Sequence, residues 1–252
     1  MNHTRSRAFW WAVFLGFGVF LLTVQSGPAQ TAPGWGNIWQ ERLTIGQAEL
    51  DDAFKLAEQG KLKEALATID DVITRDPNNW RPYFLKAAVL VLAKRGDDAI
   101  KQIDTSIGLA RKSSITPALL AELYESKARS CLDYGRPDDA RQSLESAVHL
   151  QPKDPTTLND LAWLLATTKE ARLRNGRRAF DLSMKACKIG EWKNAFTIDT
   201  LAAAAAAAGN FQDAVKYQRL AIDRLSADDR KSQLPGMEDR LQQYTTGRSF
   251  TN

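Results

Sequence analysis

The chain has 252 residues, of which 44% are hydrophobic and 25% charged, and its formal net charge is +4. This composition excludes a globally disordered protein, and the small positive charge gives no argument by itself for a nucleic-acid-binding protein. Two cysteines, Cys131 and Cys187, are too few for a zinc-binding set or a dense disulfide framework.

Residues 1–29 have the pattern of an export signal. Arg5 and Arg7 precede an uncharged apolar run from Ala8 to Val24, and small residues follow at Gly27 and Ala29. The run is long for a signal core and a little short of the roughly 20 residues that span a bilayer. We therefore expect either cleavage after Ala29 or retention of the segment as an N-terminal membrane anchor. Both alternatives place the rest of the chain outside the cytoplasm, in the periplasm or secreted.

After an expected linker at residues 30–45, a repeating pattern of small residues occupies residues 46–226. An alanine recurs at spacings of 34, 41, 39 and 35 residues, which fits a base period of 34 with insertions in the connecting turns. A second alanine precedes each of these, and we expect the two to face each other where paired helices approach closely. The pairs are Ala53 with Ala65, Ala87 with Ala99, Ala128 with Ala140, Ala162 with Ala179, and Ala202 with Ala214.

Glycines mark the turn between the two helices of each pair. In three repeats a glycine lies five residues before the second alanine, where the chain commonly needs a left-handed backbone conformation. In the second and fourth repeats the glycine, Gly96 or Gly176, lies only three residues before that alanine. We therefore expect a different turn geometry in these two repeats. The three glycines of the first group are Gly60, Gly135 and Gly209.

The stretch from Tyr124 to Pro152 shows the pattern most completely, and on these residues the chain resembles the tetratricopeptide repeat family. The resemblance covers residues 46–226 as about five repeats, and the segment Leu161–Thr167 also resembles a variant repeat of exported bacterial proteins. It implies an all-α fold, a right-handed superhelical solenoid of helix-turn-helix repeats. In this family the first helices line a concave groove that holds peptides or other proteins.

The resemblance implies six groove residues, which combine aromatic and polar side chains. An aromatic side chain supplies contact area to a bound peptide and polar groups fix its register. Ordinary helix packing accounts for the two aromatic members equally well. The six are Phe84, Glu125, Arg129, Asn159, Trp163 and Asp199.

A second candidate site is a basic cluster in the fourth-repeat insertion. Arg177 and Arg178 are predicted in the first turn of a helix, where positive charge is mildly unfavourable. An acidic partner or an anionic lipid headgroup would explain them, and a solvated loop is the alternative. The cluster comprises Lys169, Arg172, Arg174, Arg177 and Arg178.

Residues 227–252 are predicted to form a capping helix and a tail. Met237, Leu241 and Tyr244 recur at i, i+4 and i+7 and give one apolar stripe on a polar helix. We expect Pro235 and Gly236 to separate this helix from the last repeat, and the patternless tail after Thr245 to fray.

No catalytic constellation is apparent in the sequence. His149 is expected at the surface, and Cys131 and Cys187 are expected to be buried small hydrophobes and not a disulfide. The acidic pairs Asp97–Asp98 and Asp138–Asp139 fall where second helices begin, and there they complement the helix dipole. We therefore expect no enzyme activity, no cofactor and no metal.

The predicted function is a non-catalytic protein- or peptide-binding scaffold of the cell envelope, with a partner that the sequence does not identify. An accessory subunit of an envelope enzyme complex is the first alternative. A helical-repeat nucleic-acid binder is the second, but it would need stacked basic residues along successive first helices, and these positions mix signs. Contact with a membrane is expected only through the N-terminal segment, if it is not cleaved.

Overall fold

The computed structural model describes residues 46–251. The predicted export signal and the linker at residues 30–45 lie outside the described residues. Within residues 46–251 the chain forms 11 α-helices and no strand, which confirms the all-α fold. No helix in this range is both long and apolar enough to span a membrane.

The helices belong to two compact units, residues 46–95 and residues 96–251. The first unit contains α1 (Gln47–Glu58), α2 (Leu62–Arg75) and α3 (Trp80–Leu92). The second contains α4 (Gly96–Ala110), α5 (Pro117–Asp133), α6 (Pro137–Leu150), α7 (Pro155–Thr167), a 3-10 turn (Ala171–Leu173), α8 (Gly176–Ile189), α9 (Ala195–Ala207), α10 (Phe211–Asp223) and α11 (Ala227–Thr245). Within each unit, helices that follow one another in the chain contact each other. This neighbour-to-neighbour packing is the organisation of a helical repeat.

The paired alanines lie in the core. All ten are 0–1% exposed, and each second alanine is the fourth residue of its helix, in α2, α4, α6, α8 and α10. The pair Ala53 and Ala65 belongs to one hydrophobic cluster of the 46–95 unit. Within each unit, small side chains at these positions let the paired helices approach closely, because a larger residue would fill the space between them.

The glycine turns adopt the predicted left-handed conformation, with φ of 77° at Gly60, 71° at Gly135 and 83° at Gly209. In the second repeat the same position holds Lys94, with φ of 59°. Its turn makes the hydrogen bonds of the glycine turns, since Lys94 N donates to Val91 O and the next N–H donates to Leu90 O. The prediction of a different turn was therefore wrong for this repeat: lysine adopts the left-handed conformation here in place of glycine.

The turn of the fourth repeat does differ. Thr168 follows α7 in an extended conformation, and the insertion is closed by the N–H of Asn175, which donates to Leu165 O at 2.9 Å. Asn175 then begins α8, since its side chain accepts a hydrogen bond from Arg178 N. The five-residue insertion is thus a tied loop between two packed helices.

Gly96 and Gly176, which lie three residues before the second alanine of their repeats, allow the first helix of the next repeat to approach closely. A Cβ at Gly96 would lie 2.3 Å from the ring of Tyr134, which caps the end of α5. A Cβ at Gly176 would lie 2.3 Å from the backbone carbonyl carbon of Ala207 at the end of α9. These two glycines therefore serve packing between repeats and not the turn within a repeat.

The capping helix is longer than predicted. It begins at Ser226, whose hydroxyl accepts a hydrogen bond from Asp229 N, and it continues through Pro235 and Gly236. The prediction that these two residues separate the cap from the last repeat was therefore wrong. An internal proline costs the helix one backbone hydrogen bond, and burial of Met237 and Tyr244 (0% and 1% exposed) stabilises the helix beyond it.

Replacement of Gly176 by alanine should destabilise the 96–251 unit. The new methyl group would clash with backbone atoms of α9, which cannot move aside as a side chain can, so we expect a loss of about 2–3 kcal/mol. Chemical denaturation followed by circular dichroism measures this change.

Gly108→Ala is the matched control. A Cβ at this exposed position inside α4 meets no atom within 4 Å, so the better helix propensity of alanine should raise stability by about 1 kcal/mol. Equal effects of the two substitutions would contradict the role assigned to Gly176.

Candidate groove on the first helices

Five of the six predicted groove residues lie in the 96–251 unit. Four occupy equivalent positions beside the buried alanine of α5 or α7, three residues before it (Glu125, Asn159) or one residue after it (Arg129, Trp163). Residues four apart share a helix face, so these side chains lie on one side of their helices. Asp199 precedes the buried alanine of α9 by the same three residues. We call the surface formed by these five residues the groove face.

The sixth predicted residue, Phe84, lies in α3 of the 46–95 unit. Its side chain is 8% exposed, so it contributes to the core of that unit. Little of its ring is accessible to a partner.

A hydrogen-bonded group joins α5 to α7. The Thr157 hydroxyl donates to Glu125, and the same oxygen lies 2.8 Å from the carboxylate of Asp154, which caps α7. A hydroxyl has a single proton, so it can donate to only one of the two carboxylates at a time. A proton on Glu125 would allow both contacts to be hydrogen bonds.

Burial raises the pKa of Glu125 to about 7. The hydrogen bond from Thr157 opposes this shift, while the negative charges of Asp160, Asp154 and Glu122 raise the pKa further. At neutral pH this carboxyl group is therefore close to half protonated. Its environment holds more negative charge than the nearby cations balance.

Arg129 is the cation of this group. Its guanidinium lies 3.8 Å from the carboxylate of Asp160, and both side chains are about one third exposed (30% and 32%). Burial lowers the pKa of Arg129. Beside it, the buried amide oxygen of Asn159 has no hydrogen-bond partner among residues 46–251. This part of the groove face therefore presents half-exposed polar groups.

The other end of the groove face is closed by the capping helix. Asp199 is 3% exposed and accepts two hydrogen bonds from the guanidinium of Arg240 in α11, at 2.9 and 2.8 Å. Gln218 of α10 donates a third at 2.8 Å. Such a bidentate pair is strong and directional, and it ties three helices together at one carboxylate.

The tail after α11 also lies on the groove face. The ring of Phe250 lies 5.9 Å from that of Trp163, and the Arg240 guanidinium lies over both rings at 5.4 and 5.8 Å. Ser249 Oγ donates to the carbonyl of Ala206 at 2.9 Å. The prediction of a frayed tail was therefore wrong, because residues far apart in the sequence hold it.

The groove face thus has two different halves. Trp163 and Asp199 contact residues of the chain's own C-terminal end. The interactions given above join the other three residues, Glu125, Arg129 and Asn159, only to α5, α7 and the connections of these helices. A partner that approaches the groove face would meet this second half first.

The basic insertion is partly neutralised by α6. The guanidinium of Arg172 donates two hydrogen bonds to the carboxylate of Asp138, and the one to Oδ1 measures 2.6 Å. Arg178 donates a hydrogen bond to Glu145 at 3.0 Å. The attraction of Glu145 offsets the unfavourable place of Arg178 in the first turn of α8. These two arginines therefore tie the insertion to the preceding repeat.

The remaining cations of the insertion are exposed. Among residues 46–251 no carboxylate forms a salt bridge with Lys169, Arg174 or Arg177. These three side chains are available to an external anion.

The two cysteine thiols are unsuited to act as nucleophiles. Burial raises the pKa of the Cys131 thiol to about 11 and that of Cys187 to about 12, so both stay protonated. His149 is exposed at the end of α6. In the described range, no three His, Cys, Asp or Glu side chains form a group that could hold a metal ion.

Sequence reasoning missed Arg240 and Phe250. Arg240 follows Met237 by three residues and precedes Tyr244 by four, so a charged residue lies on the apolar stripe of the capping helix. A charge on such a stripe indicates a buried partner, and that signal was available. Phe250 had no local pattern that could have revealed it.

Replacement of Glu125 by glutamine should remove a pH-dependent loss of stability. The pKa of Glu125 is higher in the folded chain (about 7) than the reference value of 4.5, so its stabilising contribution is full below pH 4.5 and is lost as the pH rises through 7. After a discount for partial exposure, this loss is about 2 kcal/mol. The variant and the parent chain should melt alike near pH 5, and the variant should be more stable at pH 8.

The measurement is thermal or chemical denaturation between pH 5 and pH 8. Glu238→Gln on the exposed face of α11 is the control and should leave the pH profile of the parent chain unchanged. Parallel profiles for Glu125→Gln and the parent chain would contradict the shifted pKa.

Comparison with known proteins finds a family match on part of the chain. The sequence model described as tetratricopeptide repeat matches residues 55–113. A search of curated proteins finds no match. The match covers the second helices of the first two predicted repeats, whose alanines define the period.

Several solved structures share the fold at low sequence identity. The crystal structure of MamA protein is 17% identical over 74% of this chain and 94% of its own, with a TM-score of 0.58. MamA from Desulfovibrio magneticus RS-1 is 13% identical over 72% and 95%, with a TM-score of 0.58. YrrB, described as a TPR protein with an unusual peptide-binding site, is 17% identical over 75% and 90%, with a TM-score of 0.57. Residues 55–113 thus match the tetratricopeptide repeat family, and the described part of the chain has the helical-repeat fold of these solved structures, which together support a tetratricopeptide repeat protein.

Proposed function

We propose that this chain is a non-catalytic scaffold of the cell envelope that holds a segment of a partner protein on the groove face. The observation that carries the proposal is the non-helical C-terminal tail, which already lies against Trp163 and the end of α9. A surface that holds a piece of its own chain outside the helical packing has the shape and polar groups to hold a peptide.

The fold supports the same function. YrrB, which shares the fold, is described as having a peptide-binding site. A helical-repeat fold positions first helices side by side, and a chain segment can contact several of them at once. Glu125 and Arg129 of α5 and Asn159 of α7 provide such a series here.

The charge of the groove face favours a basic partner segment. The carboxyl groups of Asp160, Asp154 and Glu122 act on Glu125. Those that act on the guanidinium of Arg129 are Asp160, Asp133 and Glu125. Burial is the main cause of the raised pKa of Glu125 and these acids add to it, so a lysine or arginine placed there would favour the ionised form. Binding of a cation would therefore both form ion pairs and release a proton.

The envelope location rests on the sequence of residues 1–29. The two arginines, the apolar run and the small residues before Gln30 support export, with either a cleaved leader or an N-terminal anchor. The role of an accessory subunit in an envelope enzyme complex uses the same groove face, with an enzyme as the partner. The mixed charges of the groove face disfavour nucleic acid.

The basic insertion is proposed as a second contact. Lys169, Arg174 and Arg177 are its exposed cations that pair with no carboxylate of the described chain. An acidic surface of the same partner or anionic lipid headgroups would suit them.

A photo-crosslinking amino acid at position 159 tests the scaffold function. In the native host, irradiation should give a discrete covalent adduct, and mass spectrometry of that adduct should find a lysine- or arginine-containing peptide. The same amino acid at exposed position 142, on the second helix α6, is the matched control and should give no such adduct.

Charge reversal makes the test specific. Asp160→Lys should reduce the adduct from position 159 by about tenfold, because it replaces attraction for a basic segment by repulsion. Identical adducts from positions 159 and 142, or an adduct from position 159 that Asp160→Lys leaves unchanged, would contradict the proposal.

A further inference from the structure

A tight turn directs the C-terminal tail onto the groove face. Gly247 has φ of 70°, its N–H donates to Tyr244 O, and Arg248 N donates to Gln243 O. These are the hydrogen bonds that close the turn between the two helices of a repeat, as at Gly135. In a repeat a second helix follows this turn. After α11 the chain stays non-helical and runs across first helices.

The site that receives the ring of Phe250, which we call the seat, is formed by Trp163 and Arg240, and Asp199 holds Arg240 in place. Asp199 holds the guanidinium of Arg240 by two hydrogen bonds, and this guanidinium lies over the rings of Trp163 and Phe250. The side chain of Arg240 is 13% exposed and that of Asp199 is 5% exposed. The cation is therefore fixed in place and presents its face to an aromatic ring. An indole and a guanidinium together form a site for one aromatic side chain.

The tail itself is held by few contacts. Phe250 is half-buried, whereas Arg248, Ser249 and Thr251 are exposed. The contacts of the Phe250 ring with Trp163 and Arg240 and the hydrogen bond from Ser249 fix it to the groove face. Segments with so little buried area open locally at much lower cost than packed helices. The seat can therefore be vacated without unfolding α11.

We infer that residues 248–251 are a built-in occupant of the groove face, and that a partner segment carrying an aromatic residue displaces them from the Trp163–Arg240 seat. This inference rests on the proposed scaffold function and adds the chemistry of the bound segment. The tail has a basic residue two positions before its phenylalanine, Arg248 before Phe250. A partner segment with the same two features would take the aromatic seat and face the acidic half of the groove face.

Occupation of the seat by the chain's own tail lowers the apparent affinity for a partner. Because it is tethered, the tail competes at a high effective concentration, and the apparent affinity of any partner falls by the fraction of time for which the seat is occupied. Loss of the tail should therefore strengthen binding to the seat and not weaken it. A tail that merely stabilised the fold would have the opposite effect.

The experiment uses a hexapeptide with the sequence of residues 247–252 in which the phenylalanine is fluorinated, and fluorine NMR detects its binding. We expect the chain truncated after Gly247 to bind this peptide at least about tenfold more tightly than the full chain does. The full-length variant Phe250→Ala should behave like the truncated chain. A peptide with alanine in place of phenylalanine should not bind either chain.

Controls separate displacement from misfolding and from exchange between copies. Circular dichroism should show that Phe250→Ala retains the helical signal, and Thr251→Ala should bind the hexapeptide as weakly as the parent chain. Sedimentation should show the full chain as a monomer, since a dimer would mean that the tail occupies a neighbouring copy and would overturn the intramolecular assignment. Equal peptide affinity of the full and truncated chains, or no binding by either, would also overturn the inference.

The outcome is distinguishable from failure of the scaffold function. With the crosslinker at position 159, Phe250→Ala should increase the yield of the partner adduct by about tenfold. An unchanged yield would contradict displacement of the tail but not the proposed scaffold function. Absence of the adduct from both chains would contradict the scaffold function itself.

Discussion

The close approach of paired helices at small residues is the constraint on which the structure depends. In α5 and α6 the contact is between the positions of Ala128 and Ala140, and all of the equivalent alanines are essentially inaccessible to solvent. With the helix spacing fixed there, the residues three before and one after the first alanine of a pair emerge together to one side of the packed face, about 60° and 100° around the helix from that alanine. The groove face therefore follows from the packing of the core: the alanine that closes the pair also sets the direction of Glu125 and Arg129.

Features that depend on neighbouring residues could be predicted from the sequence. The alanine period, the left-handed glycines and the helix-dipole acids such as Asp138 are all set within one repeat. Features that depend on contact between repeats could not. Gly96 and Gly176 looked like displaced turn residues, but each makes room for the end of the next first helix. Lys94 shows the converse, because the hydrogen bonds of the turn impose the left-handed conformation on a residue that does not favour it.

The candidate site was predicted in part for the same reason. Residues of the first helices were identified because the repeat places them, but the groups that contact them come from outside the repeats. Arg240 reaches Asp199 across 41 residues of sequence, and Phe250 reaches Trp163 by way of a turn after the last helix. Neither contact recurs at the spacing of the repeats, so the sequence period could not reveal it. Only the position of Arg240 on an otherwise apolar stripe indicated that a buried carboxylate was needed.

The two halves of the groove face differ in how their charge is compensated. Asp199 accepts three hydrogen bonds from Gln218 and Arg240, so its charge is matched and little more could be gained by another ligand. Around Glu125 the carboxyl groups outnumber the guanidinium of Arg129, and their negative charges add to the effect of burial in raising the pKa of Glu125. A cation brought to this half would relieve repulsion that is already present in the folded chain. The half that contains Asp199, whose charge is balanced, therefore supplies a fixed site for an aromatic ring. The half that contains Glu125, where carboxyl groups are in excess, supplies the electrostatic attraction that would orient a basic segment.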